Sequence, residues 1–350
     1  MASEQRRVLI VGAGSIGERH ARCFKATGRA HVGLADVNAE LLSTVAGRYE
    51  LTDVYANLAD AIEAGFDAAV IATPAPLHIP MARQLAEAGV DLLIEKPLAL
   101  KTDGIDDLRE SIITSGVTVG VAYVYRAHPS LASMRQAILS GRFGKPLQIT
   151  SICGQNFPFY RPAFRNTYYA KRESGGGAVQ DALTHVINAA EWLVGPMTRV
   201  AADVDRLALT GVEVEDTVHV IARHGAVMAN YSMNQHQAPF EMTITVACER
   251  GTARFEMHQN RWLSMTTPGS EWAVESAETF ERDTLFRAQA DAFLDAVDGT
   301  KPPLCSFDDG AQTLRANIAI LRSADNGTWE NVEAGKVEVK AKKLATSTAR

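Results

Sequence analysis

The segment that most constrains the fold of this chain is an apolar run that ends in a glycine-rich turn and leads straight into a helical pattern. The apolar residues Val8–Val11 are followed directly by Gly12-Ala13-Gly14-Ser15-Ile16-Gly17. In a strand–turn–helix unit, the first glycine permits the tight turn, the second lets backbone approach a pyrophosphate, and the third lets helix and strand pack closely. The helix N-terminus offers free N–H groups to phosphates. This run predicts dinucleotide contacts at Gly12, Gly14, Ser15, Ile16 and Gly17, with an ordinary glycine-rich turn as the alternative.

The rest of the first third repeats short apolar runs and amphipathic stretches, which is typical of a parallel sheet with helical crossovers. The apolar runs show no polar alternation, as expected for strands that helices cover on both faces. Predicted strands are Arg7–Val11, His31–Ala35, Ala68–Ala72, Leu92–Ile94 and Thr118–Val121. Predicted helices are Ile16–Thr27, Ala39–Arg48, His78–Ala88 and Ile105–Ser115.

An acidic residue at the end of the second predicted strand indicates which dinucleotide is bound. Asp36 is placed to hydrogen-bond the hydroxyls of an adenosine ribose. The next residues, Val37 and Asn38, include no arginine that could receive a 2′-phosphate. A carboxylate would repel such a phosphate, so the sequence favours NAD over NADP. The alternative role for Asp36 is a turn former or helix cap.

The pattern changes after about residue 125. Helices are predicted at Ser130–Ser140 and Val179–Val194, a strand at Pro146–Gly154, and successive strands from Arg199 to Met265. Apolar residues alternate with polar ones in Phe240–Val246, as in an antiparallel sheet with one buried face. We expect a first domain over 1–124, a second α/β domain over 125–331, and a loosely attached tail over 332–350. Two late helices are predicted at Thr284–Val297 and Asp309–Ser323, and they can pack back on the first domain.

Composition excludes several classes of protein. The formal net charge of −6 gives no basic footprint for nucleic acid. The four cysteines are scattered, without zinc-ligand or redox spacing, so no metal site is predicted. No apolar run is long enough to cross a bilayer. The apolar run after Arg6-Arg7 is too short for an export signal, so a cytoplasmic location is expected.

Two further strand ends carry candidate site residues. Thr73 and Pro74 follow the Ala68–Ala72 strand, and His78 begins a helix shortly afterwards. Dinucleotides lie at such carboxyl ends, so these residues are candidates for cofactor contacts or for helix capping. Glu95-Lys96-Pro97 ends the next strand. Burial and a nicotinamide charge are expected to lower the pKa of Lys96 and make it a proton donor or acceptor, with a surface Glu95–Lys96 ion pair as the alternative.

A third string combines glycines with an acid and a histidine. In Gly175–His185, the residues Asp181 and His185 are four positions apart, so their side chains are expected to meet on one helical face. A carboxylate beside an imidazole raises its basicity, which suits proton exchange with an alcohol. The glycines would let backbone approach a ligand. The alternative is a purely structural intrahelical pair.

Taken in order, these strings resemble the Gfo/Idh/MocA oxidoreductases. The resemblance covers nearly the whole chain, from Arg7 to about Asn331, and it rests on GAGSIGERH, Asp36, ATPAPLH, EKP, AYVYRAHP and GGGAVQDALTH. It implies a Rossmann domain with a doubly wound parallel sheet, followed by an α/β domain with a large, mostly antiparallel open sheet. The active site would lie between the two.

The resemblance also implies roles for individual residues. Lys96, Asp181 and His185 map onto the family's catalytic lysine, aspartate and histidine. His185 would exchange the hydroxyl proton, Lys96 would polarise the same oxygen, and Asp181 would position substrate or histidine. Glu95 and Arg126 are expected near the cofactor or substrate. One departure is that Val124-Tyr125 stand before Arg126, where an asparagine is frequent in the family.

The aromatic stretch after residue 154 is expected to contact the substrate. Candidates there are Asn156, Arg161, Tyr168 and Lys171, beside Lys96, Asp181 and His185. Two cations, Arg161 and Arg165, favour a sugar that bears a carboxylate or sulfonate. His236 is a weaker candidate.

Three function classes remain open from the sequence. The first is a net dehydrogenase of a sugar, sugar acid or inositol-like polyol. The second is a redox-neutral glycosidase, epimerase or anhydro-sugar hydrolase that oxidises its substrate transiently and retains NAD. The third is a non-catalytic sugar or dinucleotide sensor. A homodimer or homotetramer is also expected, because the outer face of the large sheet is partly apolar.

Overall fold

The computed structural model describes residues 5–333 and 335, and its first part is a six-stranded sheet in which all strands run parallel. The strand order is β3-β2-β1-β4-β5-β6. The strands are β1 (Arg6–Val11), β2 (Ala30–Ala35), β3 (Val54–Tyr55), β4 (Ala68–Ile71), β5 (Asp91–Ile94) and β6 (Val119–Val121). The helices between them are α1 (Ser15–Ala26), α2 (Ala39–Tyr49), α3 (Leu58–Glu63), α4 (His78–Glu87) and α5 (Ile105–Ser115). The strand order reverses between β1 and β4, and ligands of such sheets bind at this switch point.

Helices cover both faces of this sheet, as the uninterrupted apolar strands predicted. Along β1, Leu9 and Val11 belong to one core, while Val8 and Ile10 belong to the core on the opposite face. All four side chains are at most 3% exposed. This two-sided burial explains why the strand reads as a continuous apolar run rather than as an alternating one.

The second part is built on a nine-stranded sheet. Its order is β14-β13-β12-β11-β7-β10-β9-β8-β15, and β7 and β10 are the parallel neighbours in an otherwise antiparallel sheet. The helices that precede or follow β7 are α6 (Pro129–Leu139), α7 (Phe157–Tyr160) and α8 (Thr184–Val194). The strands are β7 (Pro146–Gly154), β8 (Arg199–Asp205), β9 (Thr217–His224), β10 (Val227–Asn234), β11 (Glu241–Cys248), β12 (Gly251–Glu256), β13 (Arg261–Met265), β14 (Ala273–Ala277) and, at the far edge, β15 (Glu330–Asn331).

One face of the second sheet is buried and the other is open. Residues of β9 and β10 alternate strictly between buried and more exposed positions. The buried side packs against α8, with Ile187 and Ala190 in the same core as Val220 and Tyr231. The predicted α/β class, with a doubly wound parallel sheet and a mostly antiparallel second sheet, is confirmed.

The last two helices return to the first sheet. In α9 (Thr284–Val297), Phe293 and Leu294 share a core with Phe24 of α1. In α10 (Phe307–Asn326), Phe307 and Leu314 pack in the core on the other face of the same sheet. The first sheet is therefore covered in part by helices from the C-terminal third of the chain.

Several predicted boundaries are corrected. The short elements β3 and α3 were not predicted, because two strand residues and six helical residues carry too little periodicity. The helix predicted over Val179–Val194 is divided into a π-helical turn, Val179–Leu183, and α8. Most of the predicted tail at 332–350 lies outside the described residues. Among the described residues, no helix is long and apolar enough to span a bilayer.

Candidate active site

The glycine turn between β1 and α1 has the geometry that a bound pyrophosphate needs. Gly12 has a φ of 105°, and a Cβ on Gly17 would lie 1.8 Å from the carbonyl oxygen of Gly12. By contrast, a Cβ on Gly14 would meet nothing within 4 Å. The first N–H groups of α1, beginning at Ser15 and Ile16, have no side-chain cap. The turn is thus tightly packed at Gly12 and Gly17, and it leaves open space at Gly14 beside backbone N–H groups that no side chain caps.

Asp36 lies directly beside this turn. Its Oδ2 accepts the N–H of Ala13 at 2.6 Å, and its Oδ1 accepts the N–H of Asn38 at 2.7 Å. An ionised carboxylate has further lone pairs, so these bonds orient Asp36 while leaving it able to accept from ribose hydroxyls. Val37, the next residue, is 87% exposed.

A buried pair fixes the end of β5. His20 on α1 places its Nε2 2.7 Å from Glu95 Oε1, and Glu95 Oε2 accepts the N–H of Lys96 at 3.0 Å. Burial opposes the charge of Glu95, but the hydrogen bond from His20 and the nearby Lys96 hold its pKa below its ordinary value. Because both carboxylate oxygens bond to the protein, Glu95 orients the Lys96 backbone.

Lys96 joins the end of β5 to the π-helical turn that leads into α8. Its Nζ donates to Asp181 Oδ1 at 3.1 Å and to the Asp181 carbonyl oxygen at 2.9 Å. Burial lowers the pKa of Lys96, but the negative charges of Asp181 and Glu95 more than offset it and hold that pKa above its ordinary value. The expectation of a lowered lysine pKa is therefore wrong for the protein without nicotinamide. Lys96 is a charged hydrogen-bond donor.

Tyr168 completes this chain of hydrogen bonds. Its hydroxyl donates to Asp181 Oδ1 at 2.6 Å. Burial raises the pKa of Asp181, whereas Lys96 and Tyr168 lower it, and the net result is a pKa below its ordinary value. Asp181 is thus an anion whose Oδ1 accepts hydrogen bonds from both Lys96 and Tyr168.

His185 stands apart from Asp181. No hydrogen bond joins the two side chains, and His185 instead stacks on Tyr125 with ring centroids 4.7 Å apart. Its Nδ1 is buried without a hydrogen-bond partner among the described residues. Burial and the positive charge of Lys96 lower the pKa of His185 to about 3. The expected hydrogen-bonded pairing of Asp181 with His185 is not formed: Asp181 Oδ1 accepts from Lys96 and Tyr168 instead, and His185 is a neutral imidazole.

The start of the π-helical turn is held by Glu215, a residue that the sequence did not single out. Glu215 Oε1 accepts the N–H of Val179 at 3.0 Å, and its carbonyl oxygen accepts the N–H of Ala178 at 3.0 Å. A Cβ on Gly177 would lie 2.4 Å from Glu215 Oε1. At this position the glycine makes room for the protein's own side chain, which differs from the predicted approach to a ligand. π-Helical turns are frequent at functional sites.

The buried ring of His78 holds the connection between β4 and α4 in place. The ring is 1% exposed, with Nε2 2.8 Å from the Thr73 carbonyl oxygen and Nδ1 3.0 Å from that of Pro97. Burial lowers the pKa of His78. The expectation that His78 contacts the cofactor is wrong, because both of its ring nitrogens face backbone carbonyl oxygens. Thr73 and Pro74 remain at the carboxyl end of β4, and contact of their backbone with a dinucleotide stays a prediction.

Arg126 is not at the cleft. It is 4% exposed, and its guanidinium donates to Asn188 Oδ1 at 2.8 Å and to Asp309 Oδ2 at 2.9 Å. It also lies over the ring of Trp192, 5.5 Å from the centroid. The expectation that Arg126 touches cofactor or substrate is corrected: it links α8 to α10.

Of the predicted substrate residues in the aromatic segment after β7, Tyr168 joins the hydrogen-bonded chain at Lys96, whereas no contact described for the others brings them there. Asn156 caps α7 by accepting the N–H of Phe159 at 3.1 Å. Arg165 is tied to the carbonyl oxygen of Thr210 at 2.7 Å, so its expected role in substrate binding is not supported. Arg161, directly after α7, is exposed and makes no side-chain hydrogen bond or ion pair with the residues that the structure describes.

The remaining two candidates in the second part of the chain, Lys171 and His236, do not join the site. Lys171 lies 3.7 Å from Glu173 in a surface ion pair. His236 Nε2 lies 3.0 Å from the hydroxyl of Thr217, in keeping with a structural role.

The residues at the switch point fit a dinucleotide. Open space beside Gly14, uncapped N–H groups at the start of α1 and an oriented carboxylate at Asp36 are what a pyrophosphate and an adenosine ribose require. Lys96 lies at the carboxyl end of β5 in the same sheet. Gly12, Gly14, Ser15, Ile16, Gly17 and Asp36 are thus suited to hold NAD.

Some of the site was beyond sequence reasoning. His20 occupies a helix position with no distinguishing pattern, and its partner Glu95 is 75 residues away. Glu215 belongs to an acidic pair with Asp216, which reads as ordinary surface in a sequence, although both are at most 4% exposed. A signal was available for Tyr123 and Tyr125, two tyrosines within an apolar segment, whose rings flank His185.

Two family models match the chain. Residues 6–123 match the model described as "Oxidoreductase family, NAD-binding Rossmann fold". Residues 131–254 match the model of the GFO/IDH/MocA C-terminal domain. Together they cover more than half of the chain.

Individual relatives match over nearly their full length. The chain is 26% identical to a myo-inositol dehydrogenase of Streptomyces leeuwenhoekii, with 92% of this chain and 98% of the relative covered. Among solved structures it is similar to the WlbA dehydrogenase of Bordetella pertussis in complex with NADH and UDP-GlcNAcA, at 26% identity, a TM-score of 0.80, and 95% and 100% coverage. A levoglucosan dehydrogenase in complex with NADH and levoglucosan shares the fold, at 21% identity, a TM-score of 0.86, and the same coverage.

Proposed function

Because this chain belongs to the Gfo/Idh/MocA family of oxidoreductases, with an NAD-binding Rossmann fold over residues 6–123, we propose that it transfers a hydride between NAD and a hydroxyl-bearing carbon of a sugar, sugar acid or inositol-like polyol. The observation that carries this proposal is the hydrogen-bonded chain Lys96–Asp181–Tyr168, placed beside the neutral imidazole of His185. A charged donor next to a neutral acceptor is what oxidation of an alcohol requires.

The division of labour follows from the charges of the side chains. Lys96 stays protonated and donates a hydrogen bond to the substrate oxygen, which stabilises negative charge there. His185 accepts the hydroxyl proton on its neutral imidazole, whose Nδ1 has no hydrogen-bond partner among the described residues. Asp181 and Tyr168 hold the Lys96 ammonium in place. Bound NAD supplies the hydride acceptor, and the protein supplies orientation and proton handling.

The substrate class is supported by the chemistry of the site and by relatives. The site offers donors and acceptors from Lys96, Tyr168 and His185, which suit a polyhydroxylated ring. Relatives of similar length act on inositol and on UDP-linked sugars by their names. We propose Asn156, Arg161 and Tyr168 as substrate contacts, alongside the three catalytic residues.

A screen with two separate readouts tests the proposal. Purified protein is incubated with NAD and with myo-inositol, aldoses, uronates and glycosides, while NADH absorbance and substrate consumption are followed independently. We expect one NADH for each molecule of ketone or lactone formed. Substrate consumption without accumulation of NADH would instead establish the redox-neutral class, and binding of sugars without any turnover would establish a sensor.

We further propose a homodimer or homotetramer that forms through the open face of the second sheet. This face carries exposed apolar side chains on neighbouring strands, namely Ile152 on β7, Met228 on β10 and Ile221 on β9. Burial of such a face between two copies removes apolar area from water. Light scattering of the wild type and of Ile152→Lys tests this, since a charge at the centre of an interface should shift the mass towards the monomer.

A cytoplasmic site of action is also part of the proposal. It is supported by the four cysteines, which form no disulfide within the described residues. Fractionation of cells that produce the protein, with the cysteines probed by alkylation, tests the location.

We also propose that the chain is divided into a first domain over residues 1–124 and a second domain over residues 125–331.

A further inference from the structure

A short 3₁₀ turn at Val124–Ala127, between β6 and α6, lies along the start of α8. Tyr123, directly before the turn, places its hydroxyl 2.9 Å from Thr184 Oγ1. Arg126, within the turn, donates from its Nε to Asn188 Oδ1 at 2.8 Å. The turn is therefore attached to α8 at two points, one on each side of His185.

The ring of Tyr125 lies between these two points of attachment. It stacks on the His185 imidazole, with ring centroids 4.7 Å apart and an interplanar angle of 27°. The ring of Tyr123 meets the same imidazole edge to face, at 5.9 Å and 85°. These are the two arrangements that aromatic pairs prefer. One short segment thus supplies both an aromatic face and an aromatic edge to His185.

The orientation of the His185 ring depends on these contacts. A catalytic histidine is often oriented by a carboxylate that accepts from one of its nitrogens. Here Asp181 Oδ1 accepts from Lys96 and Tyr168, and His185 Nδ1 has no hydrogen-bond partner among the described residues. The outer torsion of a histidine side chain has a broad range of allowed values, so packing decides the angle of a ring that lacks such a bond.

The segment that carries the two tyrosines is itself held from behind by α10. Arg126 also donates to Asp309 Oδ2 at 2.9 Å, and Asn317 Nδ2 donates to Thr184 Oγ1 at 2.7 Å, the same oxygen that lies beside the Tyr123 hydroxyl. Arg126, Thr184 and Asn317 are all buried. Buried hydrogen bonds are costly to break, so the stacked ring has a fixed position relative to α8.

We propose that Tyr125 is a positioning residue for proton transfer, because its stacked ring holds the His185 imidazole in the orientation that meets the substrate hydroxyl. A general base acts only within hydrogen-bond reach of the proton that it takes. A misplacement of about 1 Å at a reaction centre can cost about 10²-fold in rate. This inference rests on the proposed function, and it gives the orienting role at His185 to an aromatic ring in place of a carboxylate.

Two substitutions at Tyr125 separate the ring from the hydroxyl. Tyr125→Leu removes the ring and keeps an apolar side chain, whereas Tyr125→Phe keeps the ring. With the substrate that the sugar screen identifies, we expect kcat of Tyr125→Leu to fall about tenfold or more while KM and NADH affinity change little. Tyr125→Phe should keep kcat close to that of the wild type.

Tyr49→Leu is the matched control, since it removes a tyrosine ring of the same partial burial from the end of α2, away from His185. It also removes the hydrogen bond from the Tyr49 hydroxyl to Glu18 Oε1. Its melting temperature should fall and its kcat should not, which separates a general loss of packing from a loss of positioning.

A double-mutant cycle tests whether Tyr125 acts through His185. In the His185→Asn background there is no imidazole to orient, so Tyr125→Leu should lower the residual rate no further. A residue with a purely structural role would lower the rate by the same factor in both backgrounds.

Nuclear magnetic resonance reports the stacking without any turnover. The histidine rings are labelled with ¹³C, and the His185 signals are identified by their loss in His185→Asn. The ring current of a stacked aromatic side chain displaces the imidazole proton signals. We expect wild type and Tyr125→Phe to share this displacement, and Tyr125→Leu to lose it.

Three results would overturn the positioning role: a normal kcat in folded Tyr125→Leu, an equal loss of kcat in Tyr125→Phe, or equal factors in the two arms of the cycle. The proposed function fails separately, when no sugar yields NADH or product. The role of Tyr125 in proton transfer then fails with it, and the His185 signals alone decide whether Tyr125 orients the ring.

Discussion

The Lys96 ammonium donates to Asp181 twice, to Oδ1 at 3.1 Å and to the backbone carbonyl oxygen at 2.9 Å. Lys96 follows β5 of the parallel sheet, and Asp181 lies in the π-helical turn that leads into α8. These two bonds therefore join the parallel sheet to the part of the chain built on the second sheet, at the point proposed for chemistry. Both side chains are 15% exposed, so the pair is shielded from solvent without being sealed.

Replacing Lys96 by Met should lower kcat by about 10²–10³-fold, since a charged donor to the reacting oxygen is lost. The same change leaves Asp181 as a largely buried charge without its partner, which costs about 3 kcal/mol of stability. The double variant Lys96→Met with Asp181→Asn should recover most of the lost melting temperature but none of the rate. Steady-state kinetics and calorimetry on both variants separate the two effects. A single variant with normal kcat would remove Lys96 from the mechanism.

Two glycines of the same turn should respond in opposite ways to an added methyl group. Gly17→Ala places a Cβ against the Gly12 carbonyl oxygen, and overpacking of backbone costs roughly 1–3 kcal/mol or more. Gly14→Ala meets nothing in the protein, so its melting temperature without cofactor should equal that of the wild type. Its NADH affinity should fall at least about tenfold, because the methyl group occupies the space for the pyrophosphate. Unchanged NADH binding in a folded Gly14→Ala protein would contradict the assigned cofactor position.

Asp36→Ser should reduce the preference for NADH over NADPH by about tenfold or more, because the carboxylate no longer repels a 2′-phosphate. Fluorescence titration with the two reduced cofactors measures this ratio. Asn38→Ala is the matched control. Asn38 caps α2 by accepting the N–H of Leu41, so the control should lose about 1 kcal/mol of stability and keep the cofactor ratio. Equal effects of both variants on the ratio would show that only the local turn matters.

Glu215 should act on the rate through the position of the π-helical turn. In Glu215→Ala the N–H of Val179 loses its acceptor, and we expect kcat to fall about tenfold while NADH affinity holds, since 1.4 kcal/mol corresponds to a factor of ten. Glu215→Gln keeps an oxygen acceptor, and burial already raises the pKa of Glu215, so this variant should approach wild-type kcat. A loss of stability in both variants without any change in kcat would leave Glu215 with a purely structural role.

The pH profile should lack a break from the catalytic histidine near neutrality. Burial and Lys96 lower the pKa of His185 to about 3, so the imidazole is neutral, and able to accept a proton, down to about pH 4. Hence kcat/KM should not fall between pH 7 and pH 5 through protonation of this residue. A break near pH 6.5 that disappears in His185→Asn would contradict the lowered pKa. In the unfolded chain the same imidazole takes a proton below about pH 6.5, so its contribution to stability declines as the pH falls from there towards 3.

Sequence reasoning was most reliable where one local pattern carries the information. The glycine turn at Gly12–Gly17 and the apolar strands of the first sheet depend on contacts within a few residues, and the predicted fold class followed from them. The second sheet was readable from the alternation around Phe240–Val246, but its order was not, because β7 pairs in parallel with a strand about 80 residues later.

The errors at the site share one physical cause, which is competition from distant partners. Spacing of four residues predicted that Asp181 would face His185, yet Lys96, 85 residues away, takes the carboxylate. The same pairing raises the pKa of Lys96 against the effect of burial. Arg126 was placed at the cleft by its position in a motif, whereas Asp309, in a helix from the far end of the chain, holds it in the interior.

The return of α9 to the first sheet has a consequence for how this enzyme can be taken apart. Phe293 and Leu294 fill a core together with Phe24, so a fragment that stops after β6 exposes an apolar groove along α1. In a chimera that exchanges only the contiguous N-terminal segment, α1 of one protein would therefore pack against α9 of another, and their apolar side chains would not match. The unit that protein engineering can transplant is discontinuous. It consists of the first 124 residues together with α9 on one face of the sheet and the part of α10 around Phe307 and Leu314 on the other. Any exchange of cofactor preference between relatives has to move all of these pieces or redesign the contacts between them.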